Sequence, residues 1–183
     1  MKMAFIGTHG VGKTTLCYEL AAALKRLDIS VDLVKEVARS CPLPINRETT
    51  DDAQNWILHT QVAQEISLGA AYETIICDRA VLDNYAYMVH ASGRRPEFEP
   101  YIRHWMLSYD LLVKVPVLAP PSFDGTRDTS VDFQMGIDAL IDDLLVDFGL
   151  KALLLPRGSR EGWLPLILEA IDLPGKSPQL ELF

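Results

Sequence analysis

One octapeptide limits the folds open to this chain more than any other feature. Gly7-Thr8-His9-Gly10-Val11-Gly12-Lys13-Thr14 fits the pattern G-x-x-x-x-G-K-[ST], between the short apolar run Met3 to Ile6 and an amphipathic stretch from Lys13 to Leu27. The glycines let the backbone turn so that successive N–H groups converge on phosphate oxygens, and the helix that follows adds its partial positive charge. This predicts a strand–loop–helix unit (a P-loop, or Walker A motif) in which Gly7, His9, Gly10, Val11, Gly12, Lys13, Thr14 and Thr15 bind a nucleotide. Lys13 is placed to reach the β- and γ-phosphates, and the Thr14 hydroxyl to ligate Mg²⁺. The His9 side chain is expected to point outward.

The rest of the chain repeats the alternation that this unit begins. Val31 to Lys35 is a second apolar run, ending at Glu36, and Thr74 to Cys77 is a third, ending at Asp78. Asp110 to Val117 and Lys151 to Leu155 give a fourth and a fifth. Between them lie helical patterns: a long one opened by Asp51 and Asp52, two around 81–92 and 98–108 split by Gly93 to Pro96, and a stripe through Phe133, Ile137, Ile141, Leu144 and Phe148. A last helix carries Leu164, Ile167, Leu168 and Ile171. Short buried strands alternating with helices predict a three-layer α/β/α domain of the P-loop NTPase kind over residues 1–173, with a five-stranded, mostly parallel sheet. Residues 174–183 form a separate C-terminal tail. Ligands of such sheets lie beyond the carboxyl ends of the strands, so one crevice is expected to hold the glycine loop, Glu36 and Asp78.

Composition narrows the partners. A formal net charge of −8 over 183 residues argues against a surface that grips long nucleic acid, though not against a small anionic ligand held by backbone amides. Cys17, Cys41 and Cys77 are too few and too scattered for a disulfide framework or a zinc site. No apolar run approaches the ~20 residues that cross a bilayer, and no secretory signal pattern opens the chain. The expectation is a soluble, cytoplasmic protein.

Thr74-Ile75-Ile76-Cys77-Asp78 has the Walker B arrangement, an apolar strand ending in an acid, and Asp78 is the expected partner of Thr14 on Mg²⁺. The segment that continues from it, Asp78-Arg79-Ala80-Val81-Leu82-Asp83-Asn84-Tyr85-Ala86-Tyr87, resembles the D/E-R-S segment of thymidylate kinases and deoxynucleoside kinases. It is still more similar to small AAA-type P-loop proteins related to the ribosylnicotinamide kinase domain. The resemblance covers most of the chain and is sharp at the glycine loop and at this segment. It implies that Arg79 contacts the phosphoryl groups or the acceptor, with a surface ion pair as the alternative. Ala80 stands where these kinases carry serine, so any contact from that hydroxyl is missing. It also implies that Glu36 faces the acceptor, as proton acceptor or sugar ligand, with Arg39 near an acceptor phosphate. The alternative is an acid near the positive start of a helix. Tyr85 and Tyr87 either stack on an acceptor ring or belong to the core, and Trp56 leans to the core.

The stretch Ala119 to Ser130, rich in Pro, Gly, Asp and Thr, lies where these kinases carry a lid loop that excludes water. Its Arg127 is the candidate for neutralising charge on the transferred group, with Arg94, Arg95 or Arg103 able to share that work. The loop Pro156 to Gly162 lies where related kinases lay the adenine, which brings Arg157 and Gly158 into consideration. At the C-terminus, Gln179, Leu180, Leu182 and Phe183 resemble the bacterial sliding-clamp-binding pentapeptide, although Glu181 departs from its usual Ser or Asp. The alternative is a tail tucked onto its own domain.

The leading expectation is an ATP–Mg²⁺-dependent small-molecule kinase acting on a nucleoside, nucleotide or related metabolite, with Lys13, Glu36, Arg79 and Arg127 as catalytic residues. A nucleotide-dependent ATPase or switch acting on a protein partner is the second reading. Against it, Asp78 is followed by Arg and not by a water-activating Glu, and no Asn-Lys-x-Asp segment reads guanine. A kinase of polynucleotide 5′ ends, recruited by a sliding clamp, is the third.

Overall fold

The computed structural model describes residues 1–121 and 129–173. Five parallel strands form one sheet in the order β2-β3-β1-β4-β5: β1 (Lys2–Ile6), β2 (Val31–Val34), β3 (Thr74–Asp78), β4 (Leu111–Lys114) and β5 (Leu153–Leu154). The helices are α1 (Lys13–Arg26), α2 (Asp51–Ala71), α3 (Val81–Ser92), α4 (Glu99–Met106), α5 (Val131–Asp147) and α6 (Trp163–Ala170).

Alternation along the strands divides the core in two. Met3 and Phe5 of β1 and Ile76 of β3 face a cluster with Leu16, Leu20 and Leu24 of α1 and Ile167 of α6. Ala4, Ile6, Ile75 and Cys77 face the other cluster, shared with α2, α3, α4 and α5. The sheet is therefore covered on both sides, which its nearly continuous apolar strands require. This is the expected three-layer α/β/α architecture.

The differences lie at element ends. β4 stops at Lys114 and β5 keeps only Leu153–Leu154, because β5 is an edge strand that pairs with β4 alone and ladder bonds end where the neighbour ends. Capping fixes two helix starts: Thr50 Oγ1 accepts from Ala53 N at 3.2 Å for α2, and Ser130 Oγ from Phe133 N at 3.3 Å for α5. At Gly7, φ is +140° and an added Cβ would lie 2.8 Å from the Val115 carbonyl oxygen, so only glycine lets β1 pass so close to the segment after β4.

Candidate functional site

In-register pairing brings the strand ends to one level. Phe5 stands opposite Asp78, and Val34 opposite Cys77, so the glycine loop, Asp78 and Glu36 leave the sheet side by side. One crevice is lined by Lys13, Thr14, Glu36, Asp78, Arg79 and Tyr87, among others. Six residues picked out in the sequence thus meet in one place.

Lys13 is buried, and its Nζ donates to the carbonyls of Gly7 at 2.8 Å and Thr8 at 2.6 Å, so the ammonium closes the loop that carries it. Burial, followed by the nearby Arg79 guanidinium, brings its pKa down to about 8, against the opposing pull of Asp83, Asp78 and Glu36. Thr14 Oγ1 donates to Asp78 Oδ2 at 2.5 Å. These two oxygens suit Mg²⁺, which takes one or two protein oxygens and completes its shell with phosphates and water. Among the described residues no cluster of three or more His, Cys, Asp or Glu forms a protein-only metal cage, so a cation here would depend on the phosphates.

Arg79 is buried and held at φ +99°, a backbone conformation costing about 1–3 kcal/mol for a residue with a Cβ. The conformation turns its guanidinium toward β2. Its Nε donates to Glu36 Oε1 at 2.8 Å, Nη2 lies 2.7 Å from the same oxygen, and the guanidinium stands 5.0 Å from the Tyr87 ring. The ion pair is buried, not the surface pair considered as the alternative. Nη1 is buried without a hydrogen-bond partner, 3.9 Å from Asp83. Glu36 receives a second cation, as Arg39 Nε donates to its Oε2 at 2.8 Å. Burial pushes the Glu36 carboxyl up, but Arg79, Lys13 and Arg39 together outweigh it and bring the pKa down to about 2.

Asp83, absent from the sequence expectations, joins the two halves of the site. Its Oδ1 accepts from Gly7 N at 2.9 Å and its Oδ2 from Ala80 N at 3.0 Å, so one carboxylate ties the glycine loop to the start of α3. The second bond caps α3 where Ala80 has no hydroxyl to do so.

Several expectations need correction. The His9 side chain is buried, not outward: its ring lies 5.4 Å from that of Phe133, and Nδ1 is 3.0 Å from the Tyr87 hydroxyl. Tyr85 does not line the crevice. Residues two apart on a helix project about 200° apart, so Tyr87 facing the crevice turns Tyr85 into the core. There its hydroxyl donates to Glu99 Oε1 at 2.8 Å and accepts from Arg95 N at 2.9 Å. Trp56 is half-buried at an open groove on α2, neither in the core nor at the crevice. Arg94, Arg95 and Arg103 do not line the crevice either. Arg94 pairs with Glu99 and Asp147, Arg95 with Asp51, and Arg103 donates to the Asp147 carbonyl. Arg127 and the tail residues Gln179, Leu180, Leu182 and Phe183 lie outside the described residues.

Two further side chains face the crevice. Gln54 of α2 donates through Nε2 to Thr49 Oγ1 at 2.7 Å, which leaves its buried Oε1 without a partner. Asn84 of α3 has a buried Nδ2 without a partner. Asn84 shares the Tyr87 face of α3 at i, i+3, a spacing present in the sequence, whereas no motif marks Gln54. On the outer side of the glycine loop, Arg157 and Gly158 are exposed, and Arg160 approaches instead: its Nη1 would lie 3.0 Å from a Cβ added at Gly12.

The sequence matches the AAA domain family over residues 2–162. No curated protein matches it. Among solved structures, deoxyadenosine kinase from M. mycoides with bound dATP superposes with a TM-score of 0.67 at 17% identity, covering 94% of this chain and 99% of that one. The same kinase with the products dCMP and a flexible dCDP bound gives a TM-score of 0.63, also at 17% identity over 94% and 99% of the two chains. The fold is that of this kinase over nearly its whole length.

Proposed function

The chain belongs to the AAA domain family, and from that premise we propose that it is an ATP-dependent kinase that passes the γ-phosphate to a nucleoside, nucleotide or related metabolite. The observation that carries this reading is the pair of buried, unpartnered amide atoms, Gln54 Oε1 and Asn84 Nδ2, in the same crevice as Lys13 and Glu36. Burying such groups unpaired costs about 1–3 kcal/mol each, which a ligand offering one donor and one acceptor would recover. A heterocycle edge or a carboxamide has that chemistry.

ATP is bound by the amides of the glycine loop, and Lys13 turns from its two loop carbonyls to the β- and γ-phosphates. Thr14 and Asp78 would hold Mg²⁺, which when bound neutralises charge on the β- and γ-oxygens. The acceptor hydroxyl, hydrogen-bonded to Glu36, attacks the γ-phosphorus. Its O–P bond forms as the bond to the ADP oxygen breaks, and its proton passes to the Glu36 carboxylate. A carboxylate with a pKa of about 2 is a weak base, but proton transfer comes late in a loose transition state, so positioning matters more than basicity. Arg79 holds Glu36 through Nε and Nη2 and keeps Nη1 for the transferred group. Residues 1–173 form the catalytic body in this reading and residues 174–183 a tail. Three free cysteines, two of them buried, suit a reducing cytoplasm.

The test is a transfer screen with γ-labelled ATP against nucleosides, nucleotides, nicotinamide riboside and 5′-hydroxyl oligonucleotides, with ATP alone as the hydrolysis control. Label should move to one class of small acceptor, and Glu36→Gln should slow the movement about a hundredfold. Phosphate release at the same rate with and without every acceptor would reject the kinase.

A further inference from the structure

The glycine loop has an outer side that the crevice does not use. There the turn at 160–162, between β5 and α6, brings Arg160 against Gly12. Three observations fix it. Trp163 Nε1 donates to the Pro156 carbonyl at 3.0 Å, and Ser159 Oγ accepts from Glu161 N at 3.2 Å, so both flanks of the turn are tied down. The Arg160 guanidinium stands 5.7 Å from the Trp163 ring, which sets its direction. Its Nη1 would be 3.0 Å from a Cβ at Gly12, whose φ of +94° already demands glycine.

The guanidinium has no ion pair or hydrogen bond among the described residues, although this acidic chain offers carboxylates close by. Arg160 and Thr15 line one groove, which runs on between α1 and α6 past Glu19, Trp163 and Leu168. Thr15 lies in the first turn of α1, where unpaired backbone N–H groups and the helix dipole attract an anion. The exposed rim of the groove carries Pro165 and the side chains of Glu19 and Glu161, while Trp163 and Leu168 lie buried behind it.

We propose that Arg160 is a donor-phosphate contact supplied from outside the glycine loop, gripping the ATP phosphate nearest Thr15. The inference rests on the reading of the loop as an ATP site and adds a residue that the loop motif does not contain. Arg160 would work together with a lid arginine, not replace it: the lid approaches the transferred group, whereas Arg160 faces a phosphate that stays behind. Its loss should therefore weaken donor binding and leave the chemical step almost intact.

The test is calorimetry on the full chain with Mg–ATP and, separately, Mg–tripolyphosphate, for wild type, Arg160→Ala and Arg160→Lys, alongside thermal melts. Arg160→Ala should lower affinity for both probes by about tenfold, as expected for a charge-assisted hydrogen-bonded pair, with an unchanged melting temperature. Arg160→Lys should recover part of the loss. In the transfer assay the ATP KM should rise and kcat stay within about twofold. Unchanged affinity in Arg160→Ala overturns the proposal. So does a loss for ATP without a loss for tripolyphosphate, which would place Arg160 on the base. If wild type binds ATP but the variant is indistinguishable from it, Arg160 alone is dismissed; if wild type binds neither probe, the ATP site itself falls, and Arg160 with it.

Discussion

Two paired glutamates, one buried beneath the sheet and one half-buried in the crevice, serve the molecule in opposite ways. Glu65 of α2 is buried, and both of its oxygens are saturated. Oε1 accepts from Gln61 Nε2 at 2.9 Å and Tyr109 Oη at 2.6 Å; Oε2 accepts from Lys2 Nζ at 2.8 Å and Trp105 Nε1 at 2.8 Å. Lys2 is further enclosed by the rings of Trp105 and Tyr109, at 4.6 and 4.4 Å. Glu36 is also paired, but around it Arg79 Nη1, Gln54 Oε1 and Asn84 Nδ2 are buried with nothing to bond. A closed network stabilises, while an open one beside a strained arginine stores interactions for something that arrives later.

Substitutions can break or sharpen this contrast. The largest effect is expected at Lys13: Lys13→Ala should lower phosphoryl transfer by about a thousandfold and leave the melting temperature nearly unchanged, as rate assays and calorimetry would show. Next, the two glutamates should exchange signatures. Glu65→Ala, which leaves Lys2 and Trp105 facing an empty partner, should cost about 3–5 kcal/mol in urea denaturation while the folded fraction keeps its kcat/KM. Glu36→Gln should lower kcat by about a hundredfold with far less loss of stability. If Glu65→Ala retained full stability but lost transfer, the division between the two glutamates would be wrong.

Smaller effects refine the acceptor side. Asn84→Ala should raise the acceptor KM by about tenfold, leave the ATP KM alone and not destabilise the protein, because the amide it removes is unsatisfied. The smallest signals concern protons. With the Lys13 pKa near 8, binding of Mg–ATP at pH 8 should draw in up to about half a proton, read from calorimetry in buffers of different ionisation enthalpy, and almost none at pH 6.5. Because that pKa is lowered from 10.5, the unfolded chain holds a proton that the folded one sheds between about 8 and 10.5, and the Lys13 contribution to stability rises with pH across that window. Glu36, whose pKa is also lowered, adds stability with rising pH in the same sense, in a more acidic window. Its contribution is fully present above its ordinary value of 4.5 and is lost as pH falls toward about 2.

The readable parts of the sequence were those where backbone geometry dictates residue type. The glycine loop between a strand and a helix, and acids closing or following apolar runs at Asp78 and Glu36, are local signals whose meaning the parallel register completes. The alternation of apolar strands with helices was equally plain. Side-chain direction was not. Tyr85 and Tyr87 look alike in the sequence and face opposite ways, and His9 lies inside a loop whose packing depends on Phe133 of a distant helix. Arg160 gained its position from the path of the chain after β5, and Glu65 looks like any solvated acid of a long helix until Lys2, Trp105 and Tyr109 converge on it. Such facts depend on tertiary neighbours, which periodicity cannot supply.

The double hold of Asp83 limits how this protein can move. With one oxygen on the first amide of the glycine loop and the other on the amide of Ala80, just before α3, it ties those two pieces into one bracket. The distance between the glycine loop and the start of α3 is thus laid down when the chain folds, and any rearrangement around the crevice has to come from parts that this bracket does not hold.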